Sequence, residues 1–338
     1  MNRMLASRTT IQPQGFIRSV LHLGTAVILA AASLQAAGQG NYPNRVIRII
    51  APTSPGSPND TIARLIAQAL SEKLKRQVVV ENRTGAGTII GSEIVVKSQP
   101  DGYTLLMGLS TLATNAATYK NIPYDALRDF APITQAVSTP NLMVVHPSVP
   151  AKSVKELIAL AKARPGEILY ASSGKGTNPH LTMELFSSMA KIRMVHVPYK
   201  SSGPGIIDLI AGHVAITSSP MLLAIPHVRA GRLRALGVTS AKRVAAEPDI
   251  PTIAEGGLPG FESVQWYGLF APAKTPREII EKLHREVVAI LRAPGARERF
   301  ASDGAELVAS SPDEFAAFVK AETVKWAQVA KTAGIIPE

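Results

Sequence analysis

Short β-branched runs alternate with helix-period patterns along almost the whole chain. "RVIRII" (45–50), "QVVVE" (77–81) and "TLLMG" (104–108) bracket two stretches of helical spacing, about 60–74 and 89–98. In the first of these, Ile62, Leu65, Ile66, Ala69 and Leu70 share one face. "LMVVH", "EILYA", "RMVHVPY", "HVAIT" and "LRALGVT" follow, separated by helical patterns at about 153–163, 180–190, 203–211 and 222–230. A βαβα rhythm of this kind predicts parallel sheet with flanking helices. Two connections interrupt it, "APITQAVSTPN" and "GLPGFESVQWYGLF", both extended and punctuated by proline or glycine. Far apart in sequence, they suit a chain that crosses twice between two lobes. The C-terminal part is helical, with no strand expected between its helices. Thr275, Pro276 and Glu278, and again Ser311, Pro312 and Glu314, spell an N-cap, a first-turn proline and a capping box.

Three strand-to-helix turns are unusual in composition. "APTSPGSPND" (51–60) holds three prolines, and "YASSGKGTNPH" (170–180) is rich in glycine and hydroxyls. A helix N-terminus leaves its first N–H groups without intrahelical partners and carries partial positive charge. Gly174 and Gly176 permit close backbone approach, and Ser172, Ser173 and Thr177 add donors, so the second loop is suited to a carboxylate or phosphate. On that loop alone, an ordinary strand–helix turn is the default reading. Its glycine, lysine and hydroxyl spacing is not that of a Walker loop. The third turn, "ENRTGAGTIIGSE" (81–93), spaces its glycines one residue too long for a dinucleotide fingerprint and reads as a tight turn whose helix faces the cleft.

Composition narrows the function. The chain has 338 residues, no cysteine and a net charge of +11. Arg3, Arg8 and Arg18 precede the apolar "VLHLGTAVILAAASL" and the small residues Ala36, Ala37 and Gly38, the order of a secretory signal over residues 1–38. Its removal takes three arginines and no acid, so the charge falls from +11 to +8. The excess favours an anionic partner. An exported chain without dense basic runs is a poor nucleic-acid binder, and no later run is long enough to span a bilayer. No two histidines stand at i, i+4 and no acidic cluster accompanies them, so no metal site or other cofactor is expected. His180, at the start of a helix below the second loop, reads more readily as a partner for loop carbonyls than as a catalyst. No G-x-S-x-G elbow occurs, Trp266 and Tyr267 read as packing of a crossover strand, and nothing suggests an enzyme.

Taken in order, "YPNRVIRIIAPTSPGSPNDTIARLIA", "VVVENRTGAGTIIGSE", "PDGYTLLMG", "DFAPIT", "YASSGKGTNPHL", "VHVPYKSSGPGIIDLIAG", "GRLRALGVTSAKR", "PTIAEGGLPGFE" and "WYGLFAPAKTP" resemble the Bug family, the solute-binding proteins of tripartite tricarboxylate transporters. The likeness runs from about residue 42 to 335. It implies an α/β, two-lobed periplasmic binding protein fold, type II-like, each lobe a mostly parallel sheet flanked by helices. The lobes are expected over 39–139 with 264–338, and over 140–263. It also implies a monomer that closes over a small carboxylate and delivers it to a permease of two integral membrane subunits. In relatives, loops equivalent to 52–60 and 172–178 hold the carboxylate by backbone amides, hydroxyls and ordered waters. Thr53, Ser54, Pro55, Gly56, Ser110, Ser172, Ser173, Gly174, Thr177, His180, Ser218 and Ser219 are therefore the ligand-binding candidates. Rigid prolines lower the entropy lost when the first loop orders around a ligand, and Asp60 is expected to cap its helix.

The departures from the family pattern bear on the ligand. Relatives usually carry an aromatic residue at the place of Thr53, a glycine at Ser57, and acids in the strand and turn occupied here by Ala215, Ser218 and Ser219. A larger, less acidic pocket favours a dicarboxylate, an aromatic one such as terephthalate included, over an amino acid. A ligand sensor presenting its bound state to a membrane histidine kinase is the alternative reading. An exported enzyme acting on carboxylates is a distant third.

Overall fold

The computed structural model describes residues 42–337 apart from 297 and 299–303. The expected export signal lies outside the described residues. The chain divides into Met1–Asn44 and Arg45–Glu338, and every element below belongs to the second unit.

β1 (Ile47–Ala51) opens the sheet with Ile47, Ile49, Ile50 and Ala51 fully buried, while Arg48 reaches out to a bidentate pair with Glu81. α1 (Pro58–Leu74) starts two residues earlier than the periodicity suggests, because Ser57 is its N-cap and Pro58 its first residue. Its buried face is Ile62, Ala63, Ile66, Ala67 and Leu70; Leu65 and Ala69 are only half-buried. β2 (Val78–Asn82), α2 (Ile89–Val96), β3 (Thr104–Leu109) and α3 (Thr111–Thr118) complete the first winding. Helix α3 was not foreseen: "TLATNAAT" is short, threonine-rich and weakly periodic, and packing of Leu112 and Ala113 into the core makes it helical.

The "APITQAVSTPN" connection and "LMVVH" prove to be one strand, β4 (Phe130–Val145). Its first part pairs antiparallel with β9, from Phe130 opposite Pro272 to Pro140 opposite Val264. Its last five residues pair instead with β7, from Asn141 opposite Pro220 to Val145 opposite Ile216. Pro140 sits at the handover, where a missing N–H costs little. The second winding follows: α4 (Val154–Ala163), β5 (Leu169–Ser172), α5 (Asn178–Ala190), β6 (Val195–Pro198), α6 (Ser202–Ile210), β7 (Ile216–Pro220), α7 (Met221–Arg229) and β8 (Arg234–Val238). β9 (Val264–Pro272) then returns, followed by α8 (Arg277–Leu291), β10 (Glu306–Leu307) and α9 (Pro312–Thr332).

Strand order is β2-β1-β3-β9-β4-β7-β5-β6, with β8 and β10 also on β4. Parallel trios lie at each end (β2-β1-β3 and β7-β5-β6), one in each lobe as expected, and the returning strands between them are antiparallel, so the sheet as a whole is mixed. The result is a two-lobed α/β protein strung on β4 and β9. α9 carries the predicted capping box at Ser311 and Glu314, and buries Phe315, Val319 and Trp326 against β4, α3 and α5.

Three local expectations are corrected. Thr275 does not cap α8: the helix starts at Arg277 after Pro276, whose ψ of 137° is non-helical, and the buried Thr275 hydroxyl has no partner among the described residues. Asp60 does not cap α1, since Ser57 holds that place. The short β10 separates α8 from α9 and pairs Glu306 and Leu307 with Ser138 and Val137.

Candidate functional site

In a parallel pair the strand ends lie along one edge, so the loops after β1 and β3 are neighbours. The first loop is closed by its own side chains. Thr53 Oγ1 lies 2.7 Å from Ser57 Oγ and donates to Asn59 Oδ1 at 3.2 Å. Buried Asn59 donates to the Met107 carbonyl at 2.9 Å, which ties the loop to β3. Asp60, also buried, accepts the Gly56 amide at 2.8 Å, Asn82 Nδ2 at 2.8 Å and Arg64 Nε at 3.0 Å. Burial alone would raise its carboxyl, but the bonds from Arg64, Gly56 and Asn82 prevail and hold it below the usual carboxylate range. Pro52 rests on α2 at Gly91, where a Cβ would stand 2.7 Å from the proline ring. Ser54, Pro55 and Gly56 are left exposed. At the end of β3, Ser110 is buried and donates to Gln265 Oε1 on β9 at 2.7 Å.

The second loop sits on the corresponding edge of the other trio. Gly174 (φ +122°) and Gly176 (φ +74°) adopt backbone that L side chains rarely accept. Thr177 begins α5 with extended backbone, but its hydroxyl donates to the Gly174 carbonyl at 2.6 Å instead of capping the helix. Ser172 is turned inward: its Oγ accepts the Gly174 amide at 3.1 Å and lies 2.6 Å from His196 Nε2. His180 is likewise buried (4% exposed) and accepts the Gly176 amide on Nδ1 at 3.0 Å, so it serves a loop N–H where a carbonyl was expected. Ser173 remains half-buried.

Ser218 and Ser219 end β7 beside β5, opposite Met143 and Leu142 of β4, and both are buried. Ser219 makes a long contact of 3.4 Å to the Pro220 carbonyl, whereas the Ser218 hydroxyl, 1% exposed as a residue, has no partner among the described residues. A second orphan stands at the first residue of α5. Asn178 accepts from Asn141 Nδ2 at 2.7 Å, and its own buried Nδ2 has no partner among the described residues. Asn178 and Asn141 were missed in the sequence, although "TNP" at a helix start was the available signal.

The two edges face each other across a cleft. Gly87, Thr111, Asn115, Thr118 and Tyr119 line one side, and Lys175, Gly176 and Thr177 the other. A Cβ on Gly176 would stand 3.1 Å from Thr118 Cγ2, so the second loop closes directly onto α3. Thr177 is the candidate that lines this narrow part. Ser110 and Thr53–Gly56 stand at the strand ends on the near side, and Ser218 and Ser219 on the far side. The walls combine hydroxyls, the Asn115 amide and backbone with the Lys175 side chain and the apolar Ile335. Among the described residues no group of three or more acids or histidines stands together as a metal site.

Comparison with known proteins decides the family. Residues 62–335 match the model of the tripartite tricarboxylate transporter family receptor. The chain belongs to that family, which includes the Bug proteins. It is 37% identical to BugT of Bordetella pertussis over 91% of this chain and 95% of that protein. Among solved structures, Rpa4515 of R. palustris with adipate is 38% identical and covers 88% of this chain and 100% of that one, with a TM-score of 0.74. MatC of Rhodopseudomonas palustris with bound malate is 29% identical over 86% of this chain and 100% of that one, with a TM-score of 0.70. The receptor therefore has the two-lobed periplasmic binding protein fold, and its family binds solute for a transporter rather than catalysing a reaction.

Proposed function

We propose that this receptor is exported to the periplasm, captures a small dicarboxylate between its lobes and hands it to a two-subunit membrane permease. The lobes are taken as residues 39–139 with 264–338, and 140–263. The observation that carries the reading is the pair of orphans on the far side of the cleft. An unpaired buried donor costs on the order of 1–3 kcal/mol, and the Asn178 amide, at the N-terminus of α5, and the Ser218 hydroxyl, on β7, both carry that cost. A carboxylate between them would accept from both while meeting the positive end of the helix. Among the described residues no acid lines the narrow part of the cleft to pair an ammonium group, which favours a diacid over an amino acid. Relatives solved with adipate and with malate support the same ligand class. Both are aliphatic, and terephthalate remains the aromatic member to compare.

The test is calorimetric titration of adipate, malate, terephthalate and glutamate into wild type, Asn178→Ala and Ser218→Ala. At least one diacid is expected to outbind glutamate. Each substitution should weaken that diacid by roughly 1.5–3 kcal/mol, the worth of a hydrogen bond to a charged group. Unchanged diacid affinity in both variants would show that the orphans face no carboxylate.

A further inference from the structure

Beneath the second loop lies a stack of three rings, Tyr170 and His180 buried and His196 half-buried, that contact with a ligand does not explain. His180 and His196 stack with centroids 4.0 Å apart and planes 15° from parallel, and Tyr170 stacks on His196 at 5.0 Å. Each histidine is tied to one glycine of the loop. The Gly176 amide donates to His180 Nδ1 at 3.0 Å, which requires that nitrogen to be bare, so the ring is the neutral Nε2–H tautomer. His196 meets Ser172 Oγ at 2.6 Å, and that oxygen accepts the Gly174 amide. A proton on His180 Nδ1 would set two N–H donors against each other. Protonating both rings would place two positive charges about 4 Å apart in a buried site.

We propose that His180 and His196 are positioning residues for the anion loop: as neutral rings they hold Gly174 and Gly176 in the ligand-receiving shape, and protonation in mild acid releases them. The proposal rests on the reading of 172–178 as a carboxylate site.

The charges around the pair favour the neutral state. Burial draws His180 down to about 3, helped by its neighbour His196 and by Lys175 of the loop, and burial draws His196 down to about 4. Glu184, on the same helix, stands 3.9 Å from His180 Nε2 and opposes this. Its own carboxyl is raised by burial and takes the Tyr170 hydroxyl as donor. On the packed elements, Asp208 of α6 is held by Tyr199 at 2.7 Å, Glu322 and Lys325 of α9 pair with each other, and β7 carries no titratable side chain. A ring released to water regains the ordinary value of 6.5, so at pH 5 each released ring favours the open loop by about 30-fold.

The experiment is amide hydrogen exchange at Gly174 and Gly176 in the ligand-free protein at pH 7 and pH 5, corrected for intrinsic rates. Wild type is compared with His180→Phe, which keeps a flat ring but no acceptor, and with His196→Gln, which keeps a polar partner for Ser172. Adipate affinity is measured in parallel. Wild-type protection at Gly176 should fall by about 25-fold between pH 7 and pH 5. In His180→Phe protection should already be low at pH 7 and change little with pH, and His196→Gln should flatten the profile at Gly174 while retaining part of the protection. Equal wild-type protection at the two pH values overturns the proposal, and that comparison needs no variant to fold. Protection that follows the prediction while no diacid binds at either pH overturns the carboxylate reading and leaves the histidine hold on the loop standing.

Discussion

Loop 52–57 is closed by its own side chains, with Asp60 reaching back to the Gly56 amide and Asn59 anchoring to β3. Loop 172–177 depends on groups outside it, two histidines below and α3 across the cleft, and the orphaned Asn178 amide adjoins it. The first is a preformed wall whose stiffness costs the binding event little. The second has glycine hinges, tethers that can titrate, and unmet hydrogen bonds, so it is the part of the site poised to respond to ligand or pH. Stability should therefore be concentrated in the first loop, and affinity and pH dependence in the second.

The largest expected effect breaks the first loop. Asp60→Ala removes a buried carboxylate that accepts from Gly56, Asn82 and Arg64 and should cost about 3 kcal/mol in urea unfolding. A loss under about 1 kcal/mol would mean the first loop is not self-supporting. Next comes acid. Burial lowers His180 in the folded protein, so its contribution is fully present above the unfolded value of 6.5 and is lost as pH falls toward about 3. Between pH 7 and pH 5 that ring alone should cost about 2 kcal/mol of stability, a slope that His180→Phe removes. Gly174→Ala should cost roughly 1–3 kcal/mol through its φ of +122°, with diacid affinity falling alongside. A Cβ there has ordinary space, 3.5 Å from the Tyr199 carbonyl, so strain and not collision sets the cost. The smallest effect separates the orphans. Thr275→Val removes an unpaired hydroxyl far along the chain from either loop and should be neutral or stabilising by up to about 1 kcal/mol, with diacid binding intact. Ser218→Ala should be equally mild for stability and yet weaken the diacid, as thermal unfolding and calorimetry together would reveal.

Much of this contrast was legible in the residues and part was not. Short apolar runs marked β1, β2 and β3 because buried parallel strands need no alternation. Proline and glycine marked both loops because each restricts or frees φ in a way that few residues do. Helix α3 was invisible, since tertiary packing and not period makes "TLATNAAT" helical. β4 was read as a connection plus a strand because its pairing partner changes at Pro140, and pairing is not written in local sequence. Ser172 and His180 were rightly set beside the second loop, but only the fold shows them turned into a stack with His196, a residue 24 positions from Ser172. Thr275 carried every mark of a cap and fails because the helix begins after Pro276. Asn178 and Asn141 were missed because their importance lies in one amide left without a partner, which a sequence does not display.

The most direct test is a single calorimetric comparison in the wild-type protein at pH 7: adipate, its monoacid analogue hexanoate, and glutamate. Buried donors built for a second carboxylate reject an analogue lacking it, so adipate is expected to outbind hexanoate by at least about tenfold and to outbind glutamate as well. Glutamate binding tightest, or hexanoate matching adipate, would contradict the account of the far side of the cleft as the seat of a second carboxylate.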